Sequence, residues 1–264
     1  MQDTTIPDVW TILSLMHWST EHLQKKGFDN ARLQIELLLS YVLQFNRVQL
    51  YTNFDKPLSP SELAIFKQLL QRKLKHEPVQ YILGETEFYG MKFFVDKRVL
   101  IPRPETELLV EEVLTLCKSP LENTALTILD IGTGSGNIPI TLAKYIPHAT
   151  IVSVDCSKDA LAVAQTNAEF HAVESRILFI EQNIFTSINE TSLKQHSYDI
   201  IISNPPYIAQ EEYAALQHDV RDYEPKIATS DDADGYRFYY RIADIGKELL
   251  RVPKIIAVEI AYNQ

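Results

Sequence analysis

Three short stretches carry residues whose types and spacing could do chemistry. The first is Asp130-Ile131-Gly132-Thr133-Gly134-Ser135-Gly136. Glycine lets a backbone turn tightly and approach a ligand with no Cβ between them. Amides at the start of a following helix can then receive an anionic or polar group. The dinucleotide fingerprint is GxGxxG, whereas this stretch is GxGxG with an acid two residues before its first glycine, a form that suits a ligand without a pyrophosphate. On this reading Gly132, Thr133, Gly134, Ser135 and Gly136 cradle the ligand, and Asp130 orients a ligand ammonium directly or through water. A plain tight turn between strand and helix is the alternative. Only 8 of the 264 residues are glycine, and three of those 8 fall in this stretch.

The second is Asp155, 23 residues after Gly132. An acid near that offset can accept both ribose hydroxyls, so with the glycine loop it indicates an adenosine-type ligand. A solvated strand-end aspartate is the alternative, and by itself the residue would mean little. The third is Asn204-Pro205-Pro206-Tyr207. Pro205 pushes Asn204 away from helical dihedrals, and neither proline has an N–H to occupy nearby carbonyls. The Asn204 side-chain oxygen and the Pro205 carbonyl can then accept from one NH2 group, with Tyr207 as a flat face against it. A proline-rich turn around a buried tyrosine is the competing reading.

These residues must be positioned by alternating strands and helices. From about residue 125, TALTILDI, TIVSVD, ILFIEQ, YDIIISN and KIIAVEI read as strands, with helices beginning near Ile138 and over SKDALAVAQTNAEFHA. Near-continuous apolar strands between helices indicate an α/β fold with a doubly wound, mainly parallel sheet. Such sheets bind ligands beyond the carboxyl ends of their strands, where all three stretches fall. Upstream, residues 1 to about 83 read as a small helical bundle. Val9, Ile12, Leu13, Met16 and Leu23 recur at helix spacing before Gly27. Asn30 is placed to cap ARLQIELLLSYVLQ, with Leu33, Leu37, Leu38 and Val42 as its stripe. Ser59, Pro60 and Glu62 open a third helix, and Pro78 closes the region. ETEFYGMKFF reads as a hairpin around Gly90. PRPETE then forces an extended segment before a helix starting near Glu105.

Composition sets the limits. Apolar residues are 45% and charged residues 23%, ordinary globular values for a chain long enough to bury its own core. No apolar run reaches the 18 or more residues of a membrane span. The start, MQDTTIPDVW, has neither the basic region nor the apolar run of a secretory signal, so a cytoplasmic protein is expected. A net charge of -10 opposes a long grip on nucleic-acid backbone. Cys117 and Cys156 share no CxxC or Cys/His cluster, so they read as structural thiols, and no metal is expected.

Asn-Pro-Pro-Tyr with a GxGxG loop resembles the S-adenosylmethionine-dependent methyltransferases that act on planar NH2 groups. ARLQIELLL, EPVQYILGETEFYG, VLIPRPETE, LDIGTGSGNIPI, SNPPYI and DGYRFYYRI extend the resemblance along the whole chain. They are similar to the glutamine N5-methyltransferases of peptide chain release factors. The resemblance implies a Rossmann-like class I methyltransferase fold, divided as a helical substrate-recognition domain at 1–84, a β-hairpin linker at 85–104 and a methyltransferase domain at 105–264. It implies methyl transfer from S-adenosyl-L-methionine to the glutamine of the Gly-Gly-Gln motif in class 1 release factors, with no membrane and no stable nucleic-acid partner. Asn204, Pro205 and Tyr207 are the implied catalytic residues, with Pro206 joining them in substrate binding. The implied cofactor contacts are Asp130, Gly132, Thr133, Gly134, Ser135, Gly136, Asp155 and Asn204. Arg103, Glu105 and Thr106 border the active site in the family, and a helix cap and a substrate role are equally open to them.

The chain departs from the family pattern in three places. An acid usually meets the adenine amino group after strand three; here the position is Asn183, followed by Ile184, and Asn183 can still accept through its side-chain oxygen. A Gly-Gly turn usually precedes strand five, where this chain has LLRVPKIIAVEI. The fold usually continues past EIAYNQ with a helix and an antiparallel strand pair, so the C-terminal strands are expected to be missing. Competing readings are a glutamine methyltransferase of a large-subunit ribosomal protein, a DNA adenine N6-methyltransferase and an inactive cofactor-binding fragment. The acidic net charge counts against the DNA enzyme.

Overall fold

The computed structural model describes residues 9–118, 125–187, 192–262 and 264. Most of the opening MQDTTIPDVW, read above as no signal, lies outside them, as do Thr124 of TALTILDI and Asn263 of EIAYNQ. The chain divides into two compact units, Met1–Leu83 and Gly84–Gln264.

The first unit is helical: α1 Ile12–Lys25, α2 Ala31–Leu43, α3 Arg47–Thr52, α4 Pro60–Lys73 and α5 Val79–Leu83. Reciprocal capping boxes start three of them, Thr11 with Ser14, Asn46 with Gln49 and Ser59 with Glu62. Each satisfies two backbone donors that a helix start leaves bare. Asn30 differs from expectation. It takes a left-handed φ of 49° and its side chain makes no capping bond. The buried stripe of α2 is accordingly Ala31, Ile35, Leu38 and Leu39, while Leu33 faces solvent. Pro78 does not end the helical region but precedes α5, its carbonyl accepting from the Ile82 amide. Proline is tolerated there because its missing N–H is one a helix start would leave bare anyway. Ile12, Met16, Leu23, Ile35, Leu38, Leu39 and Leu50 form the fully buried centre of this unit.

The second unit opens with an antiparallel hairpin, β1 Glu85–Phe88 and β2 Met91–Phe94. Then follow α6 Glu105–Cys117, β3 Leu126–Ile131, α7 Asn137–Tyr145, β4 Ala149–Asp155, α8 Lys158–Phe170, β5 Ile177–Glu181, β6 Tyr198–Ser203, α9 His218–Tyr223, α10 Lys226–Thr229, α11 Arg237–Leu249 and β7 Leu250–Val258. The last strand starts four residues earlier than KIIAVEI suggests, because Leu250 already pairs with Tyr198. All five strands of the main sheet are parallel, in the order β5-β4-β3-β6-β7. The chain winds outward from β3 to β5, then returns to the other side of β3 as β6. The crevice between β3 and β6 is therefore the topological switch point.

Both faces are covered. Ile128, Ile151, Ile200 and Ile202 pack with Val110 and Val113 of α6, residues of α7 and Ala168 of α8. Leu129, Val152, Val154 and Ile201 pack with Ile242, Ile245 and Leu249 of α11. Burying each such side chain contributes about 1.5–3 kcal/mol, which is why these strands read as unbroken apolar runs. Register does the positioning. Ile131 lies beside Val154 and Ser203, and Ser203 beside Val258. Gly132, Asp155, Asn204 and Glu259 thus emerge along one rim.

Candidate active site

The glycine loop runs from β3 into α7 along that rim. The Gly132 and Thr133 amides both donate to the Val154 carbonyl, at 2.9 and 3.2 Å, tying the loop to the end of β4. Gly136 is required by space as well as by its φ of 83°: a Cβ there would lie 2.9 Å from Ile140 Cδ1 and 3.2 Å from the Ala164 backbone. Its absence lets α7 and α8 pack closely. Gly132, with φ 81°, directs its open side at the Asn204 carbonyl, 3.8 Å from where a Cβ would stand. The glycine loop therefore runs close to the Asn-Pro-Pro-Tyr turn.

Two cavities meet at this contact. The larger, about 270 Å³, is bounded by Gly132 and Gly134, by Asp155, by Asn183 and Ile184, and by Asn204, Pro205 and Pro206. The smaller, about 30 Å³, takes in Thr133, Ser135, Arg103 and Thr106. Leu100, Gly132, Gly134 and Asn204 line both. Three predicted residues line neither: Asp130, Gly136 and Tyr207.

Asp130 is fully buried. Ser153 donates to its Oδ2 at 2.5 Å, and the Thr133 and Ser153 hydroxyls lie 2.8 Å apart. Among the described residues its buried Oδ1 has no partner. Burial pushes the carboxyl up to about 7 against the pull of the Ser153 and Thr133 hydrogen bonds. Asp130 thus stands beneath the loop as an anionic or neutral support and does not form the cavity wall. Asp155 does form the wall. Its Oδ2 accepts from the Gly134 amide and its Oδ1 from the Ser157 amide, both at 2.9 Å. Burial raises its carboxyl despite those amides and that of Cys156. Spare lone pairs on both oxygens remain to face a ligand. Asn183 uses its side-chain oxygen locally, accepting from the Phe185 amide at 2.9 Å.

The tetrapeptide is held by a chain of hydrogen bonds. Asn204 Nδ2 donates to Thr106 Oγ1 at 2.9 Å, and Thr106 Oγ1 donates to Glu259 Oε2 at 2.6 Å. Tyr207 Oη donates to Glu259 Oε1 at 3.3 Å, and burial pushes that phenol up to about 12. Tyr207 therefore braces Glu259 and is not drawn into either cavity as an open flat face. Burial also raises the Glu259 carboxyl, while the Thr106 and Tyr207 hydrogen bonds and the nearby Asn204 NH2 oppose the rise. Arg103 pairs with the buried Glu224 at 2.6 Å. Burial raises the Glu224 carboxyl, opposed chiefly by that arginine.

Glu259 and the cavity-lining Arg98, Phe185, Asp231, Arg237 and Phe238 escaped the sequence reading. Glu259 did leave a signal, a single acid following the apolar run of β7 on the rim where strand ends carry function.

Comparison with known proteins gives the family. Residues 14–84 match the PrmC N-terminal domain, and residues 122–234 match a methyltransferase domain. A release factor glutamine methyltransferase from Geobacter sulfurreducens is 44% identical over 99% of this chain and 88% of that protein. One from Chlorobaculum tepidum is 42% identical over 96% of this chain and 86% of that protein. The chain belongs to the release factor glutamine methyltransferase family. Among solved structures, a SAM dependent methyltransferase from Agrobacterium tumefaciens is similar at 20% identity with a TM-score of 0.46, covering 66% of this chain and 51% of that one. That likeness is too slight to add to the assignment.

In this methyltransferase Gly132, Gly134, Asp155, Asn183 and Asn204 line one crevice. The residues fit an adenosine-bearing cofactor: a loop in which every second residue is glycine, an acid at the strand end and apolar Ile184 as a wall. The chemistry they can support is transfer from a bound donor to a polar NH2 group offered at Asn204.

Proposed function

We propose that this enzyme transfers a methyl group from S-adenosyl-L-methionine to the side-chain amide nitrogen of the glutamine in the Gly-Gly-Gln motif of class 1 release factors. The observation that carries the reading is the orientation of Asn204. With Nδ2 committed to Thr106 at 2.9 Å, its Oδ1 is left to accept from a substrate N–H. Pro205, without an N–H, leaves its carbonyl as the second acceptor.

An amide nitrogen is a poor nucleophile because its lone pair is delocalised into the carbonyl. Acceptors on both N–H bonds hold the group and favour a pyramidal nitrogen aimed at the methyl donor. When bound, S-adenosyl-L-methionine supplies an electrophilic methyl on a sulfonium whose charge is lost on transfer. Gly132, Gly134, Asp155, Asn183 and Ile184 would hold it, with Thr133 and Ser135 behind the loop. Orientation and proximity are then the main catalytic contribution, with reacting atoms at roughly 3–3.5 Å. The amide nitrogen gives up one proton to solvent as it gains the methyl; Glu259 is not placed to take that proton, since Thr106 and Tyr207 occupy its two oxygens.

The helical unit reads as the part that selects the substrate protein. Among the described residues no helix is long and apolar enough to cross a membrane. The net charge of -10 supports a protein rather than a nucleic-acid acceptor. Labelled methyl transfer to a release factor, compared with its Gly-Gly-Gln to Gly-Gly-Ala variant, tests the reading. Label is expected only on the first; equal labelling of both would falsify it.

A further inference from the structure

We propose that Glu259 is a positioning residue that sets which way the Asn204 side-chain amide faces, acting through the single proton of the Thr106 hydroxyl. The inference rests on the acceptor role given to Asn204 above, and deepens it.

An ionised carboxylate only accepts hydrogen bonds, and a hydroxyl has one proton to give. Thr106 Oγ1 lies 2.6 Å from Glu259 Oε2 and 2.9 Å from Asn204 Nδ2, and Thr106 is buried. Because Glu259 takes the Thr106 proton, Thr106 has only lone pairs left for Asn204. The asparagine must then present its NH2, and its oxygen turns toward the crevice. A flipped amide would set oxygen against oxygen and offer a donor to a substrate NH2, which cannot accept it. Tyr207 Oη on Glu259 Oε1 and Tyr239 Oη on the Glu259 carbonyl, at 3.1 Å, fix the carboxylate's own position. The Glu259 amide donates to the Ser203 carbonyl at 3.1 Å, continuing the β6–β7 ladder up to the residue before Asn204. A directional hydrogen-bond relay thus crosses three segments distant in sequence.

The test compares E259Q, T106V and T106S with the parent enzyme, following kcat, KM for the release factor, cofactor affinity and the Asn204 side-chain amide resonances. E259Q and T106V are expected to lower kcat by about 10–100-fold, the scale of a misplaced reacting group, with cofactor affinity changed less than about threefold. T106S, which keeps the hydroxyl, recovers most of the T106V loss. The relay also makes an unusual demand of N204D. The carboxylate that substitution introduces needs the Thr106 proton, which Glu259 already takes. E259Q supplies an NH2 that lets Thr106 turn round, so N204D/E259Q should exceed N204D alone, a non-additive pair.

Unchanged kcat in E259Q and T106V overturns the proposal. So does a parallel fall of kcat, cofactor affinity and Tm without T106S rescue, or a double variant no better than N204D. A parent enzyme that fails to label the glutamine overturns the functional reading alone. The resonances still decide this one: they shift in E259Q and T106V if the relay holds, and stay put if it does not.

Discussion

Asn167 and Phe94 exchange two hydrogen bonds across 73 residues of sequence. The Phe94 amide donates to Asn167 Oδ1 at 2.8 Å, and Asn167 Nδ2 donates back to the Phe94 carbonyl at 2.9 Å. The side chain on α8 thereby imitates a strand neighbour for β2. Its second N–H donates to the Ser135 carbonyl, also at 2.9 Å. One fully buried amide thus ties the hairpin, α8 and the glycine loop together. It also anchors the segment after the hairpin, from which Arg98, Val99 and Leu100 reach the larger cavity.

Replacing Asn167 by leucine should therefore cost more than a surface change. It leaves the Phe94 N–H, the Phe94 carbonyl and the Ser135 carbonyl without partners, at about 1–3 kcal/mol for each group that stays dry. A total loss of about 2–5 kcal/mol is expected in urea unfolding, together with weaker cofactor binding. A loss below 1 kcal/mol would contradict the arrangement.

Among the loop glycines, alanine should discriminate sharply. At Gly134, with φ 55°, an added Cβ meets nothing within 4 Å, so the cost is backbone strain of about 1–2 kcal/mol. At Gly136 the same strain is joined by collision with Ile140 and the Ala164 backbone. G136A should then be about 1–3 kcal/mol less stable than G134A. Thermal melts of the two proteins side by side test this, and equal Tm values would refute it.

Asp155→Ala should act on ligand binding first. It removes the proposed ribose acceptor and frees the Gly134 and Ser157 amides. Calorimetric titration with S-adenosylhomocysteine should show affinity lower by about 10–100-fold, consistent with losing hydrogen bonds to a charged group worth about 1.5–3 kcal/mol. Binding within twofold of the parent would remove Asp155 from the site.

Asp130 should make the protein without cofactor sensitive to pH. Its folded-state carboxyl is pushed up to about 7, above the roughly 3.9 of an unfolded chain. The folded state therefore binds the proton more tightly in that window. The contribution is fully present below about pH 4 and is lost as pH rises through about 7. Relative to D130N, the parent Tm should fall by several degrees between those limits, on the scale of about 2–4 °C per kcal/mol. A Tm difference that stays flat with pH, or that rises, excludes this behaviour.

What could be read from sequence was local. The glycine loop and the Asn-Pro-Pro-Tyr turn declare themselves because each is a short run whose backbone needs are written in its own residues. Asp155 follows from an offset within one β-α-β unit. Asn30 misled because its side chain suits a cap, while the chain there turns through a left-handed conformation. The short α3 was missed although Asn46 and Gln49 carry its capping signal. Glu259 could not be weighed from its neighbours, since its part depends on the register of β7 against β6 and on where α6 brings Thr106. Asp130 shows the other side of this. Its spacing suits a ligand contact, but Ser153, its register partner on β4, draws it under the loop.

The near-contact of Gly132 with the Asn204 carbonyl has a consequence for how such an enzyme can diverge. A side chain at Gly132 would stand 3.8 Å from the Asn204 carbonyl, so the proposed donor and acceptor loops run side by side at this point. A substitution that widened the crevice for a new acceptor at this point would loosen the grip on the donor in the same stroke. Selection for a different target therefore has little freedom at the rim itself. The changes open to it lie in what delivers a side chain to Asn204.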